Sequence, residues 1–156
     1  MSKLKVTTPS DREVVIARTF DAPRELVFRA YTDPELLPKW CFGFDGWSMP
    51  ICEMPEATGP FRWVFRKVGG TEEMTISGEV VESVPPERLV TTESWGPEWP
   101  ETHNTVIFSP EGKRTLVTLT IRYISKEARD EAIKSGMSDG LEITYDRLER
   151  LAQTLE

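Results

Sequence analysis

The last twenty residues of the chain, MSDGLEITYDRLERLAQTLE (137–156), have the periodicity of one amphipathic helix. At 100° per residue the apolar side chains form a single stripe, the charged side chains lie away from it, and Ile143 is the clear exception. The stripe contains Met137, Leu141, Thr144, Tyr145, Leu148, Leu151, Ala152 and Leu155. Such a helix spans roughly 30 Å, so its apolar face needs a large surface to lie on.

The preceding segments predict that surface, because they alternate with a period of two, which is typical of half-buried strands. In the segment 61–66, Phe61, Trp63 and Phe65 share one side, whereas Arg62 and Arg66 share the other. Comparable patterns predict further strands at 13–20, 49–54, 73–80, 88–95, 102–108 and 114–123.

Capping residues and prolines predict three short helices. The segments 21–23 (DAP) and 33–34 (DP) each place an aspartate before a proline, and proline is tolerated in the first turn of a helix. Pro38 removes a helical donor, so the second of these helices should be brief. Ser125 is a good N-cap for a third helix, which ends at Ser135 and Gly136 before the long one.

This order of elements predicts an α+β fold. We expect a curved antiparallel sheet of about six to seven strands around a long C-terminal helix, with two short helices after the first strand. A chain of 156 residues can bury one core without disulfides or metals, so residues 1–156 should form a single domain. Residues 1–11 are polar and are expected to be flexible.

Composition and charge argue against several functions. The net charge of −7 and the pI near 4.9 disfavour binding to nucleic acids or anionic membranes. The sequence has no apolar run of the roughly 18 residues that membrane insertion requires. Cys41 and Cys52 occur without a secretory signal, which predicts reduced thiols and a cytoplasmic protein. We expect a monomer or weak homodimer.

Metal and nucleotide chemistry also lack the residues they need. His103 is the only histidine, and no C-x-x-C motif occurs, so a zinc or haem site is not expected. The sequence contains no glycine-rich phosphate-binding loop and no nucleophile-elbow motif. We therefore expect no metal and no cofactor.

A helix laid across a curved sheet leaves a pocket when it does not fill the concavity. Methionine adapts to varied apolar shapes, and tryptophan adds an N–H donor. The predicted walls of a ligand pocket are Trp40, Met54, Trp63, Phe65, Met74, Ile76, Trp95, Met137, Leu141 and Tyr145. Phe42, Phe44, Trp47 and Trp99 belong to the same aromatic and thioether set. For any single tryptophan, ordinary core packing is the alternative.

Glu93 is the charged residue of most interest because it shares a strand face with Leu89, Thr91 and Trp95. If that face points inward, a carboxylate lies in an apolar cavity and desolvation raises its pKa. Exposure to solvent is the alternative, since unpaired acids are rarely buried.

Two neighbours could assist Glu93. His103 could lie across a hairpin from it and form an acid–base pair, but its strand alternates better with Asn104, Val106 and Phe108 inside. A shift of one residue in register decides this, and the sequence leaves it open. The Tyr145 hydroxyl could reach the pocket or could bond a backbone carbonyl.

Several short strings resemble one known family. They are FDAP (20–23), TDPE (32–35), GE (78–79) followed by VPPERLV (84–90), TESW (92–95), SKEARD (125–130), SGM (135–137) and YDRL (145–148). In this order the chain resembles the helix-grip fold of the SRPBCC superfamily, which includes START lipid-transfer domains and birch-pollen-allergen proteins. It is most similar to the bacterial activator of heat-shock-chaperone ATPase homologue-like family. The Thr-Glu-Ser-aromatic string favours the inward orientation of Glu93.

The resemblance has one departure. Relatives carry an Asp-x-Arg-x-Gly-Gly stretch before the aromatic strand, whereas this chain reads PEATGP at 55–60. Any role of that acid and arginine is therefore not implied here.

Three functional hypotheses follow. The first is a domain that binds a mainly apolar small molecule between sheet and helix, with Glu93 as its polar anchor. The second is a cyclase-like or hydrolase-like enzyme that uses Glu93 as general acid or base. The third, which the family resemblance implies, is a module that interacts with a chaperone.

Overall fold

One antiparallel sheet of eight strands is the framework of the computed structural model, which describes residues 4–41, 46–96 and 100–155. The strands are β1 (Lys5–Ser10), β2 (Glu13–Phe20), β3 (Trp47–Glu53), β4 (Gly59–Lys67), β5 (Glu73–Val84), β6 (Arg88–Ser94), β7 (Thr102–Glu111) and β8 (Arg114–Arg122). Their order across the sheet is β1-β2-β8-β7-β6-β5-β4-β3. The predicted α+β fold is confirmed, with slightly more strands than expected.

The additional strand, β1, lies in the N-terminal segment for which we predicted flexibility. Within that segment Lys5, Val6 and Thr7 pair with Ala17, Ile16 and Val15 of β2, and the flexibility itself stays a prediction. All six side chains of β1 are exposed. The strand is therefore held by backbone hydrogen bonds at the sheet edge, and an edge of this kind leaves no apolar pattern in the sequence.

The helices are α1 (Arg24–Thr32), α2 (Lys126–Lys134) and α3 (Met137–Thr154), with a 3-10 turn at Leu37–Lys39. The Ser125 hydroxyl accepts a 3.1 Å hydrogen bond from the Ala128 amide, which confirms the predicted cap of α2. The segment after Asp33 was expected to form a brief helix, and it forms only this 3-10 turn. Two of the three predicted short helices are thus present as α-helices.

Helix α3 covers part of the inner face of the sheet. Tyr145, Leu148 and Ala152 are fully buried in the core, while Ile143 is 41% exposed on the opposite side. This confirms the orientation predicted from the apolar stripe. Met137 and Leu141, in the first turns, are only half-buried. The first part of α3 is therefore less covered than its middle.

A buried arginine connects the sheet to α3, and the residue periodicity did not indicate it. Arg18 of β2 is 1% exposed. Its Nη2 lies 3.1 Å from Asp146 Oδ1 and 3.1 Å from Glu149 Oε1 on α3. Its guanidinium carbon lies 4.7 Å from the centroid of the Phe20 ring. Glu149 also accepts a 2.8 Å bond from the Asp21 amide, so one carboxylate links β2, the next turn and the helix.

We expect Arg18→Met to lower the free energy of unfolding by about 3 kcal/mol, the lower end of the cost of removing one partner from a buried ion pair. The Glu149 side chain, which is 16% exposed, loses the arginine, while Asp146 (40% exposed) can be hydrated again. Urea denaturation would measure this change. The matched control is Arg66→Met, which removes an exposed pair with Glu73 and should cost less than about 1 kcal/mol. A loss below about 1 kcal/mol for Arg18→Met, no larger than that of Arg66→Met, would contradict this account.

Candidate functional site

The structure fixes the register that the sequence left open. Glu93 pairs with Gly78 of β5 and with Thr102 of β7, and Thr102 is buried on the inner face. His103 pairs with Thr92 and is exposed. The inward orientation of Glu93 and the surface position of His103 are both confirmed. The two side chains lie on opposite faces, so they form no acid–base pair.

The Glu93 carboxylate has two neutral hydrogen-bond donors. Asn104 Nδ2 donates to Oε2, and Trp95 Nε1 donates to Oε1 at 3.2 Å. Burial raises the pKa of Glu93, and these two hydrogen bonds offset only part of that effect. In the described part of the chain, Glu93 forms no ion pair. Its carboxylate is thus held on the inner face without a cation.

Asn104 has an unsatisfied acceptor beside this carboxylate. The residue is 5% exposed, and its Oδ1 has no hydrogen-bond partner among residues 4–41, 46–96 and 100–155. A buried amide oxygen left in this way costs about 1–3 kcal/mol. Alternation in β7 places Asn104 inside with Val106 and Phe108, and an amide in that row was the signal that could have identified it.

Titratable groups from four other parts of the chain respond to the charge of Glu93. Burial raises the pKa of Tyr31 on α1, Cys41 after the 3-10 turn and Tyr145 on α3, and the negative charge of Glu93 raises each of them further. Burial followed by the same charge raises the pKa of Tyr123, after β8, to about 12. The carboxylate therefore lies where sheet, α1 and α3 converge.

The inner face is filled on one side of Glu93 by a cluster of aromatic rings. Tyr145 packs on Phe20 with ring centroids 5.2 Å apart, and Tyr31 contacts Trp40 at 5.2 Å and Phe108 at 5.5 Å. We call these five residues the aromatic floor. Polar atoms within it are satisfied, since the Tyr31 and Tyr145 hydroxyl oxygens are 2.9 Å apart and Trp40 Nε1 donates to the Ala30 carbonyl at 2.8 Å.

Two predicted pocket walls therefore belong to packed core. Trp40 is 2% exposed and Tyr145 is fully buried. The Tyr145 hydroxyl bonds the Tyr31 hydroxyl, and not a backbone carbonyl. Any contact of these two residues with a ligand stays a prediction.

The other side of Glu93 is less densely covered. Trp63, Met137 and Leu141 face the core but are only half-buried, and Met74 and Trp95 are 37% and 45% exposed. We call these five residues the open half.

Hydrogen bonds to methionine sulfur atoms connect the open half to neighbouring residues. The Tyr123 hydroxyl donates to Met137 Sδ at 3.5 Å, and Trp63 Nε1 donates to Met54 Sδ at 3.4 Å. Phe65 and Ile76 are buried beneath this region at 5% and 3% exposure. Phe42, Phe44 and Trp99, from the same predicted set, lie outside the described residues.

A separate groove of about 550 Å³ runs between the end of α1, the 54–57 segment and the β5–β6 turn. Its lining residues are Phe28, Arg29, Thr32, Asp33, Pro34, Met54, Pro55, Glu56, Ala57, Val80, Ser83, Pro85 and Leu89. Of the predicted walls, Met54 alone lines it. The groove therefore differs from the site predicted around Glu93.

Two features of the described residues bear on partner classes. No helix there has both the length and the apolar character needed to cross a membrane. The same residues hold no group of three or more His, Cys, Asp or Glu side chains placed to bind a metal ion. Cys41 and Cys52 are free thiols, as predicted.

Comparisons with known proteins agree with the fold. The family model for "Activator of Hsp90 ATPase homolog 1-like protein" matches residues 21–153. A crystal structure from Rhodobacter sphaeroides is 29% identical, covers 98% of this chain and 99% of its own, and has a TM-score of 0.89. A Nitrosomonas europaea protein is 24% identical, and the match covers 94% of this chain and 97% of that protein, with a TM-score of 0.82. The AHSA1 protein of Silicibacter pomeroyi is 20% identical, and the match covers 92% of this chain and 99% of that protein, with a TM-score of 0.75. No curated protein matches the chain.

Proposed function

The chain belongs to the Activator of Hsp90 ATPase homolog 1-like family, and we propose that it binds a mainly apolar small molecule between the sheet and α3. Membership and fold indicate a ligand-binding or co-chaperone-like module. The first of these is the function that the geometry around Glu93 supports best. In this proposal the open half is the contact surface, the aromatic floor closes one side, and Glu93 with Asn104 is the polar anchor.

One observation carries the proposal: a carboxylate and a partnerless amide oxygen lie together on an inner face that is otherwise largely apolar. Protein interiors normally satisfy such groups internally, because an unmet buried acceptor is costly. A few polar groups converging in an apolar hollow are the usual composition of a small-molecule site. The half-burial of Trp63, Met137 and Leu141 supports access from the same side.

Filling the open half should block ligand entry. We expect Leu141→Trp to reduce the affinity for a neutral apolar dye, such as N-phenyl-1-naphthylamine, by about tenfold or more, because the indole would occupy the space beside α3. Dye fluorescence titration measures this. The matched control is Ile143→Trp, which places the same indole on the exposed side of the same helix and should leave affinity unchanged. Equal binding by both folded variants, or no saturable binding by the wild type, would overturn the proposal.

The Glu93 carboxylate should also give stability a distinct pH dependence. Because its folded-state pKa is raised, the native protein binds more protons than the unfolded chain at pH values between the ordinary glutamate range and the raised pKa. The protonated group therefore favours folding at acidic pH, and this contribution is lost as pH rises through the raised pKa.

Glu93→Gln, which does not titrate, should consequently lose less stability than the wild type as the pH rises from the ordinary glutamate range through the raised pKa. Urea denaturation at several pH values gives the comparison. Glu79→Gln is the control, since Glu79 is exposed. In this variant the free energy of unfolding should change with pH as it does in the wild type. Parallel pH profiles for Glu93→Gln and wild type would show that the carboxylate is not desolvated.

Chaperone interaction is the second candidate, and the family description is the observation that favours it. It predicts a stoichiometric chaperone complex that survives Leu141→Trp, since a protein partner would contact the surface. Affinity capture with wild type and Leu141→Trp distinguishes this function from the pocket-based one. The enzymatic hypothesis gains no support, because in the described residues Glu93 bonds only Asn104 and Trp95. Cytoplasmic location and oligomeric state stay predictions.

A further inference from the structure

The two acceptors at the centre of the site, the Glu93 carboxylate and Asn104 Oδ1, have few hydrogen-bond donors around them. The two hydrogen bonds to Glu93 come from neutral groups. Among the residues that the structure describes, no lysine or arginine forms an ion pair with Glu93. Asn104 Oδ1 accepts no bond from any described residue, although the side chain is almost fully buried. A ligand that satisfied this site would have to donate hydrogen bonds, and a positive charge would complete the balance.

The orientation of the Asn104 amide supports the same conclusion. Its Nδ2 is committed to the Glu93 carboxylate, so Oδ1 points elsewhere and stays an acceptor. One ammonium group carries three donors and can serve a carboxylate and an amide oxygen together. A hydroxyl carries one donor, and a carboxylate head would bring a second negative charge beside Glu93.

The overall charge of the protein suits a cation as well. The net charge of −7 adds a long-range attraction for cations and a repulsion for anions.

We infer, on the basis of the proposed function, that the ligand is an amphiphile with a protonated amine head and an apolar tail. Its ammonium donates to the Glu93 carboxylate and to Asn104 Oδ1, and its tail lies against Trp63, Met137 and Leu141. The site discriminates against fatty acids, because their carboxylate meets Glu93 at close range in a poorly hydrated setting.

A head-group series tests this inference. Dodecylamine, dodecanol and dodecanoate share one twelve-carbon tail and differ in charge and donors. Each would compete, below its micelle concentration, with the neutral dye N-phenyl-1-naphthylamine at neutral pH. We expect dodecylamine to bind at least about tenfold more tightly than dodecanoate, with dodecanol between them, as the loss of a charged hydrogen bond implies.

Two variants assign that preference to the site. Glu93→Gln should bring dodecylamine and dodecanol to within about threefold of each other. Glu79→Gln removes the same charge from an exposed position on the adjacent strand β5 and should retain the preference for the amine. An equal loss in both variants would assign the preference to net charge and overturn the inference.

The wild-type ranking decides the matter even if a variant fails to fold. Dye binding together with dodecanoate affinity equal to or above that of dodecylamine overturns the amine assignment and leaves the proposed function standing. Failure of the dye and of every member of the series to bind overturns the proposed function itself. Dye binding with the order amine, alcohol, carboxylate supports both.

Discussion

Ending the chain at Ser135 should give a product without a cooperative unfolding transition. The truncation removes Tyr145, Leu148 and Ala152, all fully buried, and exposes the apolar face of the sheet that α3 covers. Burial of one large apolar side chain contributes roughly 1.5–3 kcal/mol, whereas a whole domain is stable by only about 5–15 kcal/mol. Arg18 would in addition lose its partners on α3 while its own strand remains.

Thermal melts followed by near-ultraviolet circular dichroism, together with size-exclusion chromatography, would measure the result. We expect aggregation or a molten state with no sharp transition. A chain ending at Ala152 is the control, because it retains the three buried residues and should fold with a lower melting temperature. A monomeric product ending at Ser135 that still melts sharply would show that α3 is dispensable.

Gly78→Ala should be the most disruptive single substitution beside the site. A Cβ at this position would lie 1.9 Å from the Thr92 carbonyl oxygen and 3.1 Å from the Phe61 ring. Carbon–oxygen contacts normally begin near about 3.3 Å, so β5 and β6 would have to separate where Gly78 pairs with Glu93. We expect a loss of about 4 kcal/mol or more, the range of severe backbone and packing conflicts.

Urea denaturation would give the change in stability, and amide chemical shifts in β5 and β6 would locate it. Gly70→Ala is the matched control, since its Cβ would meet only ordinary contacts of 3.8 Å, and it should stay within about 1 kcal/mol of wild type. Similar stabilities for the two variants would mean that the approach of Thr92 to Gly78 is easily relaxed.

Periodicity predicted most of the framework because burial on one face leaves a repeating apolar pattern. The rows containing Phe61, Trp63 and Phe65 and the stripe containing Tyr145 and Leu148 all lie as their spacing indicated. Strand β1 was missed for the corresponding reason, since an exposed edge strand has no buried row.

The candidate site was predictable only in part. The row through Glu93 indicated the inward face, but the same alternation cannot show that Arg18, within a β-branched strand, is compensated by carboxylates more than a hundred residues away. Nor could it show that Trp40 and Tyr145 fill their side of the concavity while Leu141 leaves the other side less covered. Such outcomes depend on the fit of side-chain volumes in three dimensions, which spacing along the chain does not encode.

The strand order has a consequence for the time course of synthesis. Strand β2 has β8 as its neighbour, so Phe20 pairs with Thr115 and Glu13 with Arg122. A ribosome adds about 5–20 residues per second, and β2 therefore waits on the order of 5–20 s for its partner. During that interval Val14 and Ile16, which are fully buried in the finished protein, have only β1 beside them. We expect the nascent N-terminal hairpin to be the segment of this protein that ribosome-associated chaperones bind most readily.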